Sequence, residues 1–343
     1  MDVITQGLLG GVLAQSAANR NEKKWATLAG VASGLVADAD VLIYSSSDPL
    51  LNIEYHRHFT HALVFIPFGA AIASLLLWPF LHRHLQLARL YLFCLLGYSM
   101  SGMIDACTSY GTHLFWPFSD ERIAWHIISI VDPIFTIIIL ITFILGLKVK
   151  LKNVSYIGLS LALAYMLFGY LQLQRAEDAA AQLALSRGHI PLKHVVKPTL
   201  GNLLLWRSTY IREQQIYVDA VRLNFFSGNQ IYQGETVEQF ILSKEFPELD
   251  SNTALYEDIQ RFNKFSDDFI AYDPTQENVL GDIRYSMLPT SVKPLWGIIV
   301  EPQKPDQHSD YRFFRDNDAT MRQKFIDMLF GRSLPSLKDN EKL

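Results

Sequence analysis

The sequence predicts a polytopic α-helical membrane domain of about six segments, followed by a soluble α+β or mostly-β domain. The 343-residue chain is 50% apolar or aromatic and 19% charged, whereas an ordinary soluble chain carries about 25% charged residues. Long apolar runs occur only in the first half, and charged residues return in the second half. The net charge of −4 provides no basic excess for binding a phosphate backbone, so we expect no nucleic-acid partner.

Six segments can be distinguished in the first half. Three runs approach the ~20 apolar residues that cross a hydrocarbon core, namely 62–81, 127–147 and 154–173. Three more are shorter or interrupted, and we expect them to border a cavity: 4–18, 25–44 and 90–104. The chain begins without the basic region of a signal peptide, so we expect the first segment to be retained.

The change in composition divides the chain into three regions. These are a transmembrane domain at 1–174, a connecting helix and linker at 175–198, and a soluble extracytoplasmic domain at 199–343. In the last region, alternating apolar and polar residues predict a strand at 217–223. Apolar residues at helical spacing predict helices at 257–269 and 319–329. None of these patterns indicates a chemistry.

The basic residues predict how the chain is oriented in the membrane. The loops after the first, third and fifth segments contain Arg20, Lys23, Lys24, Arg83, Arg89, Lys148, Lys150 and Lys152. The alternate loops contain only Arg57 and Arg122. Because basic loops remain in the cytoplasm, we expect a multi-pass protein of the bacterial inner (cytoplasmic) membrane, with the lipid bilayer as its partner. Both termini and the C-terminal domain would then be extracytoplasmic.

Ionisable side chains collect at the outward ends of the predicted segments. Asp38 and Asp40 lie near the end of the second segment, three histidines and an arginine fill 55–61, and Asp105 ends the fourth segment. Helix termination at the headgroups and a solvated histidine-rich loop are the structural alternatives. However, ionisable groups at membrane depth are costly and usually functional, and here three segments bring them to one face. This convergence favours a site.

Imidazole and carboxylate groups are ligands for Zn²⁺ and for other divalent metals that prefer nitrogen and oxygen. We therefore predict a divalent-metal centre, with Zn²⁺ first and Mn²⁺ second, whose ligands are Asp38, Asp40, His56, His61 and Asp105. The three carboxylates are also predicted to be catalytic, together with Arg57, which would pair with a phosphate or carboxylate of the substrate. Thr108 and Tyr110, in the adjoining polar loop, are predicted to contact the substrate.

Several linked motifs occur in order over the first ~150 residues, and such linkage is specific. They are Met1-Asp2-Val3-Ile4-Thr5, Asp38-Ala39-Asp40, and the segments 56–61, 102–112, 116–119 and 131–133. Together they resemble the YdjM-like family of membrane-bound, predicted metal-dependent hydrolases. The resemblance implies a metal site similar to those of zinc-dependent phospholipases C and single-strand nucleases. It also implies a phosphoester or lipid-derived substrate.

Two positions depart from the pattern of that family. The pattern has histidine where this chain has Gln6 and Ser101. A histidine four residues before Asp105 would share its helix face, so Ser101 removes half of a chelating pair. A catalytically silent membrane binding or scaffold protein is therefore the first alternative. The second is a small transporter in which aspartate and histidine side chains relay protons or bind an ion.

Five other histidines bear on the ligand set. His113 and His126 lie on the same outer loop as the predicted site and could replace missing ligands, although ordinary interfacial histidines are the alternative. His58 stands where the family does not require histidine. His82 and His84 are on the predicted cytoplasmic side, so we exclude them as ligands.

Overall fold

The computed structural model describes residues 1–149, 153–314 and 318–334, and the chain divides into two compact units. The first, here the helical unit, consists of Met1–Tyr44, Leu51–Leu171 and Leu200–Asn202. The second, here the sheet unit, consists of Ser45–Leu50, Gln172–Thr199 and Leu203–Leu343. Lys150 and Lys152, which helped to predict the orientation, lie outside the described residues.

Helices account for most of the first half. They are α1 (Val3–Ser16), α2 (Lys23–Val36), α3 (Leu51–Tyr55), α4 (Ile66–Leu81), α5 (Leu87–Ala106), α6 (Pro133–Lys148) and α7 (Val154–Ser186). Three short 3₁₀ turns accompany them, at Ala37–Leu42, Phe59–His61 and Leu63–Phe65. The first turn continues α2, and the last leads directly into α4.

Four helical stretches are long and apolar enough to cross a membrane. They are Lys23–Leu42, Leu63–Leu81, Leu87–Ala106 and Val154–Ser186. The prediction of a polytopic helical first half is thereby confirmed. The count of about six crossings does not follow from length, because α1 has 14 residues and α6 has 16, fewer than the ~20 that span a hydrocarbon core.

The helix predicted within 127–147 begins later than expected. Asp132 is the N-cap of α6 and its carboxylate accepts a hydrogen bond from the backbone N–H of Phe135 at 3.1 Å. Pro133 occupies the first helical position, where its missing N–H costs nothing. The residues from 127 to 132 therefore form loop rather than helix, and Asp132 serves to start α6.

Glycines allow three helices of this unit to pack backbone against backbone. A Cβ atom at Gly30 of α2 would collide with the carbonyl oxygen of Gly10 in α1. A Cβ atom at Gly97 of α5 would in turn collide with the carbonyl oxygen of Gly30. Small residues at such crossings are typical of helices packed in membranes. The crossings hold α1, α2 and α5 together beneath the ends that carry the candidate site.

The sheet unit contains two four-stranded antiparallel sheets and short helices. The first sheet consists of β1 (Lys193–Pro198), β2 (Leu205–Arg212), β3 (Gln215–Arg222) and β4 (Gln230–Glu238), and the second of β5 (Ile270–Tyr272), β6 (Val279–Asp282), β7 (Trp296–Ile299) and β8 (Tyr311–Phe313). The helices are α8 (Leu242–Glu245), α9 (Ala254–Phe265) and α10 (Ala319–Leu329). Ile211, Ile216 and Phe269 are among the buried residues that join the two sheets in one core.

The elements predicted in this half are present, and their boundaries differ by a few residues. The strand predicted at 217–223 corresponds to β3, and the helix predicted at 319–329 corresponds to α10. The helix predicted at 257–269 ends at Phe265, because Asp267 and Asp268 adopt positive φ angles of 50° and 67°. An α-helix cannot continue through left-handed residues.

Candidate metal centre

Three separate elements bring ionisable side chains to one end of the helical unit. Asp38 and Asp40 lie in the 3₁₀ turn that continues α2, His61 ends the 3₁₀ turn Phe59–His61, and Asp105 lies in the last turn of α5. His61 and Asp105 are buried, with 1% and 0% exposure. The convergence that the sequence predicts is therefore present.

His61 is at the centre of the group. Its Nε2 atom lies 3.3 Å from Asp105 Oδ2 and 3.4 Å from Asp38 Oδ1. One ligand atom from each of these three residues lies within 4.8 Å of the others. Ligands about 2.0–2.2 Å from a Zn²⁺ ion are separated by distances of this order. The three side chains can therefore bind one divalent metal ion with little rearrangement.

Several atoms of the group have unused bonding capacity. His61 Nε2, Asp105 Oδ2, Asp38 Oδ2 and Gln6 Oε1 are buried and have no hydrogen-bond partner among the described residues. A buried polar atom without a partner costs about 1–3 kcal/mol. A cation bound among them would give all three carboxylate and imidazole atoms a ligand bond. The donor set therefore fits a metal of the type predicted.

Asp40 lies on the other side of the same imidazole. One of its oxygens is 3.2 Å from His61 Nδ1 and accepts hydrogen bonds from the backbone N–H of Arg57 at 2.8 Å and from Thr60 Oγ1 at 2.9 Å. Its other oxygen is 3.0 Å from His56 Nδ1. A carboxylate in this position orients the imidazole and increases its basicity as a ligand.

The five predicted ligands are thus divided into two sets by the structure. Asp38, His61 and Asp105 form the group that could hold a metal, whereas Asp40 and His56 contact each other behind it. Thr60, whose hydroxyl also contacts Asp40, is not among the site residues predicted from the sequence. Its place in the motif Phe59-Thr60-His61 was the available signal.

Arg57 is directed toward the carboxylates rather than toward solvent. Its backbone has a positive φ angle of 60°, and its Nε atom lies 3.2 Å from Asp105 Oδ2. The guanidinium group is 5.0 Å from the ring centre of Tyr110. The α-amino group of Met1 also contacts the Asp105 carboxylate, and the Met1 carbonyl accepts a hydrogen bond from Arg57. The negative charge of Asp105 is thereby partly compensated.

The two residues predicted to contact substrate have different surroundings. Tyr110 is partly exposed, and its ring lies under the guanidinium groups of Arg57 and Arg122. Thr108 is buried, and its hydroxyl donates to the backbone carbonyl of Asp105 at 2.8 Å. Thr108 therefore secures the end of α5 beneath the site.

Gln6 and Ser101, the two departures from the family pattern, share one partner. Gln6 Nε2 donates to the carbonyl oxygen of Gly34 at 2.9 Å, and Ser101 Oγ donates to the same oxygen at 3.0 Å. Gly34 lies one helical turn before Asp38. Both side chains are buried, so the two substitutions modify one location beside the carboxylates.

Three further histidines of the outer loops are not part of the group formed by Asp38, His61 and Asp105. They are His58, His113 and His126. The rings of His58 and His113 are 4.5 Å apart, within an aromatic cluster that includes Trp116. Burial, assisted by the positive charge of Arg122, lowers the pKa of His113 to about 4. His126 has a positive φ angle of 54° in the same long loop.

His82 and His84 follow α4, between that helix and α5. His84 stacks on Trp25 with ring centres 3.8 Å apart, and His82 Nδ1 lies 3.0 Å from the carbonyl oxygen of Pro79. These contacts account for both imidazoles without a metal, so the two residues are suitable controls.

A second group of possible ligands occurs in the sheet unit and was not predicted. It contains Asp48, Asp258 and His308, which are separated by up to 260 positions in sequence. Arg261 donates to both oxygens of Asp48, at 3.1 and 3.0 Å, and to Asp258 at 3.2 Å. Because the guanidinium already compensates both carboxylates, this group is an ion-pair network rather than a second metal site.

Comparisons with known proteins agree with the motifs of the first half. The model of the family described as YdjM inner membrane protein matches residues 1–176. The inner membrane protein YbcI of Escherichia coli (strain K12) is 33% identical over 109 residues, which cover 30% of this chain and 60% of that protein. The chain thus matches less than two thirds of the length of this relative. No solved structure matches the chain.

The metal-site assignment predicts that replacing His61 or Asp105 weakens metal binding. We expect His61→Ala and Asp105→Asn each to lower Zn²⁺ or Mn²⁺ affinity by more than the 10–100-fold typical of an outer-shell change. Elemental analysis of the purified protein and calorimetric titration measure this. His82→Ala and His84→Ala should leave the metal content unchanged. Equal metal content in all four variants would contradict the assignment.

Proposed function

Because the chain belongs to the YdjM inner membrane protein family, we propose that it is a membrane-bound, metal-dependent hydrolase. The observation that carries this proposal is the group of His61, Asp38 and Asp105, in which His61 Nε2, Asp105 Oδ2 and Asp38 Oδ2 are buried and lack hydrogen-bond partners among the described residues. Three protein ligands with a further position for water are typical of catalytic zinc sites, whereas structural sites are closed by four protein ligands.

The protein contributes positioning and charge to this chemistry. A divalent metal, when bound, acts as a Lewis acid and lowers the pKa of a coordinated water. Asp40 holds Nδ1 of His61, so that Nε2 is directed toward Asp38 and Asp105. Arg57, 3.2 Å from Asp105, is placed to pair with an anionic group of a substrate at the same point.

We propose a phosphoester or lipid-derived substrate. Arg57 supplies the fixed positive charge that a phosphate group requires. In addition, the 3₁₀ turn that contains Asp38 and Asp40 continues into exposed apolar side chains at Val41 and Leu42, which are 50% and 75% exposed. An amphiphile with its headgroup at the carboxylates and its chains against such residues would satisfy both features.

We further propose that the site and the sheet unit face away from the cytoplasm, in a six-crossing topology that includes α1 and α6. The support is the distribution of lysine and arginine among the loops. In this arrangement the ends of α2 and α5 that carry Asp38 and Asp105 lie at the outer face. The substrate would then be reached from the outer leaflet.

A catalytically silent binding protein is the second candidate, and Gln6 and Ser101 favour it. Both side chains are satisfied in part by the Gly34 carbonyl, where imidazoles would add two ligands. The transporter alternative would require ionisable groups along a path through the helices. Asp132 instead lies just before α6, caps that helix and accepts a hydrogen bond from Tyr165 at 3.0 Å.

Hydrolysis is tested directly with the full-length protein in detergent or lipid vesicles. We expect metal-dependent release of product from phosphoesters or phospholipids, in an activity screen that also includes amides. His61→Ala should abolish this activity, because it removes the central ligand. His84→Ala, whose imidazole stacks on Trp25, is the matched control and should retain full activity. Metal binding without turnover of any of these substrates would favour the silent binding protein.

The orientation is tested with reporter fusions. A fusion after Lys150 should report the cytoplasm, and a fusion after Ser186 should report the extracytoplasmic side, because the positive-inside rule places the basic loop after α6 inside. Alkaline phosphatase and green fluorescent protein provide complementary readouts. A fluorescent fusion after Ser186 would reverse the orientation and place the site on the cytoplasmic face.

Restoring histidine at both departures should strengthen the metal site. We expect the double variant Gln6→His, Ser101→His to bind Zn²⁺ at least tenfold more tightly, since two neutral imidazoles replace one amide oxygen and one hydroxyl beside Asp38 and Asp105. Calorimetric titration measures the change, and the activity screen shows whether hydrolysis also rises. If His126→Ala abolishes binding while the double change adds nothing, His126 supplies the missing ligand. If neither the unmodified protein nor the double variant binds metal, the catalytically silent scaffold protein is the hypothesis that remains.

A further inference from the structure

The loop between β3 and β4 carries two adjacent exposed aromatic side chains. Phe226 is fully exposed and Phe225 is 58% exposed. Both lie in the segment Asn224-Phe225-Phe226-Ser227-Gly228. Single exposed apolar residues are common on soluble proteins, but neighbouring phenylalanines at a loop tip usually mark a surface that is covered by a partner. The partner can be identified from where the structure holds this loop.

The loop is attached to α7 through Arg175. The guanidinium Nη2 donates to the carbonyl oxygen of Asn224 at 2.5 Å, and Nη1 donates to Gln172 Oε1 at 2.6 Å. The same guanidinium lies 5.9 Å from the ring centre of Phe225. The loop is closed on itself by a hydrogen bond from Asn224 Nδ2 to the carbonyl oxygen of Gly228 at 2.8 Å. The two phenylalanines are therefore held at the level of Arg175 along the helix.

That level coincides with the end of the membrane-crossing part of α7. The helix has 33 residues, so about 13 remain after the ~20 that cross a hydrocarbon core, which places the end of the crossing near residue 173. The large apolar side chains exposed along the helix extend from Tyr156 to Leu171, and the next one is Leu185. Arg175 lies one turn beyond Leu171, about 6 Å along the axis.

We propose that Phe225 and Phe226 insert into the interfacial layer of the bilayer, beside the point at which α7 leaves it. Phenylalanine side chains of interfacial proteins are buried at the boundary between headgroups and acyl chains. A cationic side chain at this level is attracted to anionic lipid headgroups. The occupant of this surface is the lipid bilayer. The proposal concerns the sheet unit and does not depend on hydrolase activity.

Exposed apolar residues elsewhere in the sheet unit provide an internal comparison. Ile190 and Leu192 are 82% and 80% exposed, just before β1. They follow Ser186, which lies 11 residues beyond Arg175 in the same helix, about 17 Å further along the axis. At that distance from the crossing, these side chains should remain in water. Exposure alone therefore does not distinguish the phenylalanine loop from Ile190 and Leu192. What distinguishes them is the distance from the end of the crossing, measured along the axis of α7.

The test is the depth of a spin label in the full-length protein, reconstituted in vesicles of phosphatidylethanolamine and phosphatidylglycerol. The native cysteines Cys94 and Cys107 are buried, so a thiol-specific label should react at an introduced cysteine. We expect a label at Phe226→Cys to collide with oxygen, which concentrates in lipid, several-fold more than with a water-soluble nickel chelate. A label at Ile190→Cys should show the opposite preference.

A second labelling position controls for the possibility that removing Phe226 disturbs the loop. Ser227→Cys keeps both phenylalanines and should show the same preference for oxygen, although less strongly. Equal nickel accessibility at 190, 226 and 227 would overturn the proposal, because the loop would then be in water. Shielding of positions 226 and 227 from both reagents would also overturn it, since a protein surface rather than lipid would then cover the loop.

Discussion

The candidate site depends on how closely the helix backbones approach one another. Gly10, Gly30 and Gly97 allow α1, α2 and α5 to touch without intervening side chains. A fourth glycine, Gly102, lies one turn before Asp105 in α5. The absence of a side chain there leaves room for the carbonyl oxygen of His61. A Cβ atom at any of these four positions would collide with a backbone carbonyl oxygen of the neighbouring segment, so a larger residue would force the backbones apart. The backbone packing therefore determines the distances among the ligand atoms.

His61 shows how one side chain serves two roles in a confined space. Nδ1 faces Asp40, which is held by backbone and hydroxyl donors, and Nε2 faces Asp38 and Asp105. The imidazole therefore separates the Asp40 carboxylate from those of Asp38 and Asp105, which lie together on its Nε2 side. The buried Arg57 guanidinium adds positive charge on the side of Asp105. Without such compensation, acidic groups in an apolar helical unit would be protonated or displaced.

Hydropathy and residue types predict much of this protein, because both act locally. The apolar runs identify helices that are long and apolar enough to cross a membrane, and the costly carboxylates identify the end of the helical unit where the candidate metal ligands converge. The separate orientations of Asp38 and Asp40 were not predictable, since they depend on the change from α-helix to 3₁₀ turn at Ala37. Likewise, Asp132 and the pair Asp267 and Asp268 set helix boundaries through backbone conformation rather than hydrophobicity. The Asp48–Arg261 pair joins residues 213 positions apart, which no spacing argument reveals.

The carbonyl oxygen of Gly34 accepts hydrogen bonds from two side chains that belong to different helices. Gln6 and Ser101 therefore share an acceptor, and a change at one alters the electrostatic environment of the other. Side chains that share a hydrogen-bond partner have coupled energies, so we expect the stability effects of substitutions at positions 6 and 101 to be non-additive.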